Sequence, residues 1–154
     1  MNYYLLTWNP NRYNWNNIDD IIAEIEQNGY YDKFGWGCGR RTSINIGDWL
    51  FLMRLGLEPK GIVGSGYSIP SLINSKNNNI DNIVYQDDHW DTSNDNQANY
   101  VDIKLDTLIN PENAEILSLY RLKKLFPNQT WKPLSSGISI VDYVAKELEI
   151  SSRF

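Results

Sequence analysis

Among 154 residues there is one cysteine, Cys38, and one histidine, His89. A lone thiol closes no internal disulfide, and these two residues cannot supply a Cys/His zinc cage, so neither kind of staple is expected. No positively charged, apolar leader precedes the strand-like run at Tyr3, which makes a reducing cytoplasm the expected compartment. Long apolar runs are missing as well, since a stretch such as Trp49 to Met53 is far too short to cross a bilayer. Walker A, nucleophile-elbow and dinucleotide-binding patterns are absent, and the reading calls for no cofactor and no self-sufficient catalytic centre. Positive charge is scarce: 14 Lys and Arg face 19 Asp and Glu, for a formal net charge of −5. Such a balance argues against coating nucleic acid by bulk electrostatics, because that mode neutralises many phosphates with clustered cations.

What positive charge exists is unevenly placed. Lys33, Arg40, Arg41, Arg54 and Lys60 fall in one short stretch, whereas the aspartates from Asp81 to Asp106 form another. If nucleic acid binds, one face makes few phosphate contacts, and Lys33, Arg40 and Arg41 are the candidates for them. Aromatic content is high at 13%, with six Trp and ten Tyr, and rings beyond the needs of the core are useful for stacking on bases.

Hydrophobic periodicity outlines a single folding unit over residues 1–154. Tyr3 to Trp8 reads as a strand ended by Asn9-Pro10, and Asn17 to Asn28 as an amphipathic helix carried by Ile18, Ile21, Ile22 and Ile25 and stopped by Gly29. Tyr30 to Arg41, with three glycines, reads as a shaped loop with a short strand. Trp49 to Leu55 and Gly61 to Ser68 form a hairpin, and Tyr100 to Leu108 alternates as a half-buried strand. Ile80 to Tyr85 stands between two polar connections, Lys76 to Asn79 and Asp87 to Asn99. Helices are expected over Ile116 to Phe126 and Val141 to Glu149. The result is a small α+β domain around a strongly bent or barrel-like, mostly antiparallel sheet with flanking helices.

Four patches in order resemble the EVE family of the PUA-like superfamily, and more distantly the YTH readers of methylated adenine. They are Tyr4-Leu5-Leu6-Thr7-Trp8-Asn9-Pro10; Trp36-Gly37-Cys38-Gly39; Ile46-Gly47-Asp48-Trp49-Leu50-Phe51-Leu52 with Gly61 to Gly66; and Trp131 to Ile138. The resemblance covers about residues 2 to 149 and implies a PUA-like pseudo-barrel with a pocket for a modified base. It also implies frequent attachment to nucleases or GTPase motors of modification-dependent restriction systems, with this domain as an N-terminal module. Carried over by motif, Trp36 and Trp90 become the two pocket walls. DNA is the favoured carrier of the base, with RNA as the alternative.

A base has two π-faces, and rings on both sides desolvate both, each stack being worth roughly 1–3 kcal/mol. Edge readout is expected from Asn9, Cys38, Ser65 and Ser136, with Gly37, Gly39, Gly66 and Gly137 letting backbone approach closely. Trp8 and Trp131 border core-like segments and read equally as pocket or core residues. Cys38 is read as a small pocket or core residue rather than a nucleophile, His89 being the lone base available. Two other classes compete. Asp87, Asp88, His89 and Asp91 together suggest a divalent-metal nuclease, although a solvated acidic loop is the commoner reason for such a run. A protein-interaction module, its aromatics filling core and interface, is the third.

Overall fold

The computed structural model describes residues 1–71, 83–86, 99–133 and 135–151. Within them run strands β1 (Tyr3–Trp8), β2 (Tyr31–Gly39), β3 (Trp49–Arg54), β4 (Gly61–Ile69), β5 (Val84–Gln86), β6 (Asn99–Leu108), β7 (Leu117–Ser118) and β8 (Ile138–Ser139). The helices are α1 (Ile18–Asn28), α2 (Leu119–Leu125) and α3 (Asp142–Ser151). The fold is α+β, with one sheet in the order β2-β6-β4-β3-β1-β8, to which β5 adds on β6 and β7 on β4. Pairing is antiparallel except between β1 and β3, where Tyr3 to Trp8 run alongside Trp49 to Arg54 in the same direction.

Alternation places the core. Tyr4, Leu6 and Trp8 join Leu50, Leu52, Val63 and the alternate β6 residues Val101, Ile103 and Leu105 on the inner face, where Ile18 and Ile21 of α1 pack. Tyr3, Leu5, Phe51 and Met53 point the other way, under Leu119 and Leu122 of α2 and Val144, Ala145 and Leu148 of α3. β1 and β3 are thus covered on both faces. That explains why Trp49 to Met53 is continuously apolar while β6, exposed on one face, alternates. α1 ends where Gly29 takes a φ of +86° and donates its N–H to the Ile25 carbonyl at 2.7 Å, a cap that favours a residue without Cβ.

Two expectations need correction. Tyr30 to Arg41 is largely one nine-residue strand, β2, because its backbone pairs with β6 through two irregularities, between Tyr31 and Phe34 and between Gly37 and Gly39. Its glycines are bulge and close-approach residues rather than loop residues. The helix expected from Ile116 begins at Leu119: Leu117 and Ser118 pair with Ile62 and Gly61, and the Ser118 side chain caps α2 by accepting from Arg121 N at 3.2 Å. The β1–β3 pair is parallel because the chain crosses through α1 and β2 before returning. The segment read as Ile80 to Tyr85 appears as Val84–Gln86; residues 80–82, and the connections Lys76 to Asn79 and 87–98, lie outside the described residues.

The two far sides of the sheet meet. Trp36 in β2 donates its indole N–H to the Thr7 carbonyl of β1 at 2.9 Å. Ser136 Oγ accepts from Thr7 N at 3.0 Å and donates to the Gly37 carbonyl at 2.7 Å, bridging the same two strands. Gly137 N adds a bond to the Leu5 carbonyl at 2.9 Å. This seam curls the sheet around its inner core and brings the second and fourth sequence patches side by side.

Candidate functional site

The seam is where most of the sequence-predicted site residues converge, and each has a specific neighbour. Trp36 is half-buried on the inner side of β2 between Phe34 and Cys38. Its ring lies 5.3 Å from Phe34 at an interplanar angle of 14°, and 5.0 Å from Trp15 at 38°. Trp15 and Phe34 are themselves 5.3 Å apart. Rings stacked on opposite faces of an indole would stand about 7 Å apart or more, at roughly 3.5 Å per contact. Those two rings therefore back Trp36 from one side only. Tyr13, 36% exposed, meets it edge-on at 5.4 Å. With its N–H fixed by Thr7, Trp36 is a pre-set aromatic surface that retains contact with solvent.

Arg40 is exposed, and Arg41 is half-buried behind it. Arg41 Nε donates to the Gly137 carbonyl at 2.8 Å, and its guanidinium lies 5.1 Å above the Tyr4 ring. The close approach needs glycines: a Cβ on Gly137, whose φ is +93°, would strike the Cys38 carbonyl, and one on Gly39, at φ +62°, would strike that of Ser136. Two open depressions flank Arg41. One, of about 340 Å³, is lined by Arg40, Thr42, Ser43 and Ser136 among others, and the second, of about 490 Å³, by Gln129, Thr130, Ser135 and Ser139 among others. Trp36 lines neither.

Several expectations give way to packing. Trp8 is 6% exposed, donates its indole N–H to the Tyr13 carbonyl at 2.9 Å and stands edge-on to Trp15, so it is a core residue with no face left for a base. Cys38 is fully buried, and that burial pushes its thiol up to about 12, outweighing a backbone hydrogen bond and the nearby Arg41, which both pull it down. The Cys38 side chain therefore offers neither edge readout nor a nucleophile. Ser65 lies buried in β4 with its hydroxyl 3.2 Å from Asp106 Oδ1, away from the seam. Asn9 builds a turn instead: its Oδ1 accepts from Asn11 N at 2.9 Å beside Gly56. Ser136 is at the seam, with its hydroxyl committed to Thr7 and Gly37. Lys33 is exposed on β2. Trp131 is buried beneath α2 and α3, its N–H donated to the Phe126 carbonyl at 3.0 Å.

Trp90, His89 and the run Asp87 to Asp91 lie outside the described residues. The strand ends that bracket them are described. Gln86 pairs with Asn99, Asn99 pairs in turn with Gly39, and Asn99 Nδ2 donates to the Arg41 carbonyl at 3.3 Å. The connection containing Trp90 therefore rejoins the sheet at Asn99, beside Gly39 and Arg41, and leaves it at Gln86, across Asn99 from Gly39. Among the described residues no group of three or more His, Cys, Asp or Glu is placed to hold a metal ion. No described helix is long and apolar enough to cross a membrane.

Sequence reasoning missed Tyr13, the Thr7 carbonyl, and the hydroxyls of Thr130 and Ser139. Tyr13 follows Asn9-Pro10 in a polar stretch that has no period, and a carbonyl's partner leaves no mark in a sequence.

No family model matches the sequence, nor does any curated protein. Two solved structures are similar in fold. Protein PSPTO5229 from Pseudomonas syringae superimposes with a TM-score of 0.59 at 16% identity, over 96% of this chain and 97% of that one. A hypothetical protein from Leishmania major superimposes with a TM-score of 0.52 at 18% identity, over 99% and 98%. Both likenesses extend over nearly the whole chain, and at these identities they concern the fold alone.

Proposed function

We propose that this chain is an EVE-type, PUA-like pseudo-barrel that binds one modified nucleobase, such as a methylated cytosine, flipped out of DNA into an aromatic cage. On this reading it does no chemistry itself and serves as the specificity domain of a modification-dependent restriction or defence system, where a fused or associated nuclease or motor acts. The observation that carries the proposal is Trp36, a half-buried indole anchored by its N–H and backed from one side, in the strand that runs into Arg40 and Arg41. Stacking on such a ring contributes roughly 1–3 kcal/mol, and a second ring across the base doubles it, which offsets the few kcal/mol that flipping costs. Trp90 is the proposed second ring, because its connection is rooted beside Gly39 and Arg41.

Placement narrows the readout. Trp8, Cys38 and Ser65 are taken by packing, and the Gly37 carbonyl and both backbone groups of Gly137 are already bonded to Ser136, Leu5 and Arg41, so none of these supplies edge readout. Arg40 and Arg41 then hold phosphates, which position a nucleic acid without reading its sequence. The test is tryptophan fluorescence against free nucleosides, with 5-methyl-2′-deoxycytidine, 5-hydroxymethyl-2′-deoxycytidine and N6-methyl-2′-deoxyadenosine each set beside its unmodified counterpart. The proposal expects saturable quenching by at least one modified member, abolished in Trp90→Ala at nearly unchanged melting temperature. A matched ribonucleoside series decides between DNA and RNA. Equal quenching by modified and unmodified members, or a steep fall in the melting temperature of Trp90→Ala, would contradict it.

A further inference from the structure

Resting on that reading, we propose that the larger depression beside Arg41, the one bearing Thr130, Ser135 and Ser139, is a second phosphodiester subsite, so that the nucleic-acid strand crosses Arg41 instead of ending there. Arg41 lines both depressions and stands between them. Its position is fixed by the Nε bond to Gly137 and by Tyr4 beneath the guanidinium, and among the described residues its terminal nitrogens have no hydrogen-bond acceptor. Among the described residues the ion pairs are Arg54 with Glu112 and Lys60 with Glu58, and neither involves Arg41. An arginine so held presents its planar donor fork in one orientation, as bidentate phosphate binding requires.

The lining is selective in charge. Among the described residues, no Asp or Glu lines either depression. The larger one combines one cation with the hydroxyls of Thr130, Ser135 and Ser139, a composition suited to an anion that accepts several hydrogen bonds and unsuited to a metal or an amine. Gln129 cannot serve as a further donor, because its amide is spent on the carbonyls of Thr130 and Ser139 and accepts from Val141 N. That bracing holds the Thr130 turn against β8 and so fixes the distance between the hydroxyls and Arg41.

The probe is unmodified single-stranded dT12, titrated by fluorescence anisotropy at several salt concentrations into wild type, Arg41→Ala and the double variant Thr130→Val with Ser139→Ala. Arg41→Ala is expected to bind about tenfold more weakly, with the logarithmic salt slope reduced by about 0.7, the share of one phosphate on a single strand. The double variant removes only exposed neutral hydroxyls, so its melting temperature stays put, its affinity falls several-fold and its salt slope is unchanged. Its response to the free modified nucleosides remains that of wild type. Binding of dT12 by the double variant as tight as by wild type overturns the subsite, as does a wild type that does not bind dT12 at low salt. Should wild type bind dT12 with these dependences and yet ignore every modified nucleoside, the aromatic cage is wrong and the strand path stands.

Discussion

Near the two ends of β1 an arginine lies over an aromatic ring, and the two sites differ in what else holds the cation. Arg54 sits 5.2 Å over Trp8, is 2% exposed, and gives one nitrogen to Glu112 Oε1 at 2.7 Å and the Glu58 carbonyl at 3.3 Å. Arg41 sits 5.1 Å over Tyr4, is half-buried, and among the described residues is anchored through Nε alone. A buried cation needs a carboxylate because desolvation must be offset, and once paired it has no free orientation for a ligand. A cation at the rim is solvated without a carboxylate, so an incoming anion can take its donors. The comparison separates a residue that closes a core from one that can meet a partner, although both carry the same charge over the same kind of ring.

The largest expected effects are on the closed side. Trp8→Ala should cost about 3–5 kcal/mol, the usual range for truncating a buried aromatic, whereas Trp36→Ala should cost clearly less because its ring is half-buried. Urea unfolding of the two variants checks this order, and an equal loss would place Trp36 in the core as firmly as Trp8. Next comes Glu112→Ala, which leaves Arg54 buried without its carboxylate. With the acid itself 60% exposed, the expected loss is toward the lower end of the buried-pair range, about 3 kcal/mol, against about 1 kcal/mol for Arg41→Ala, which leaves the Gly137 carbonyl without its donor. Thermal unfolding should therefore separate the two by several degrees.

The seam lies between these extremes. Ser136→Ala removes the acceptor for Thr7 N and the donor to the Gly37 carbonyl at once, and about 1–3 kcal/mol of stability should be lost. Faster amide exchange at Thr7 would show the seam opening locally. The smallest effect is the alkaline one at Cys38. Its pKa rises from 9.0 to about 12 on folding, so between those values the native state holds a proton the unfolded chain has released, and stability falls as pH rises through that window. Tyr3, Tyr13 and Tyr31, also raised by burial, add to the same limb. Cys38→Ala should flatten it slightly, which paired unfolding curves at pH 8 and pH 10.5 would detect.

The course of the chain was legible in the sequence wherever period decided it: β1, α1, β3, β4 and β6 follow from alternation, helical spacing and turn residues. What period could not reveal was the use of a glycine-rich stretch. Tyr31–Gly39 lacks side chains where Tyr85, Tyr100 and the Ser136 turn come close, and those neighbours are set by tertiary structure, not by local pattern. The parallel β1–β3 pair is hidden for the same reason. The site was legible in part. Trp36, Arg41 and Ser136 were singled out, and the fold gathers them at one seam; Trp8, Cys38 and Ser65 were singled out on residue type and turned out to be occupied by the core and by Asp106. Their fates depend on which face of a strand each occupies, and at a bulge or a strand end that parity is lost.

The central claim is that Trp36 stacks on a modified base. It is tested most directly by measuring the affinity of wild type and Trp36→Ala for two DNA strands identical except for one 5-methylcytosine, with N6-methyladenine and 5-hydroxymethylcytosine pairs run alongside. A methyl group in an apolar pocket is worth about 1–3 kcal/mol, so the account predicts roughly 10- to 200-fold preference for the modified strand in at least one pair. In Trp36→Ala that preference should vanish while weak, salt-dependent binding to both strands remains. No preference in any pair, or a preference that survives the loss of Trp36, would contradict the account.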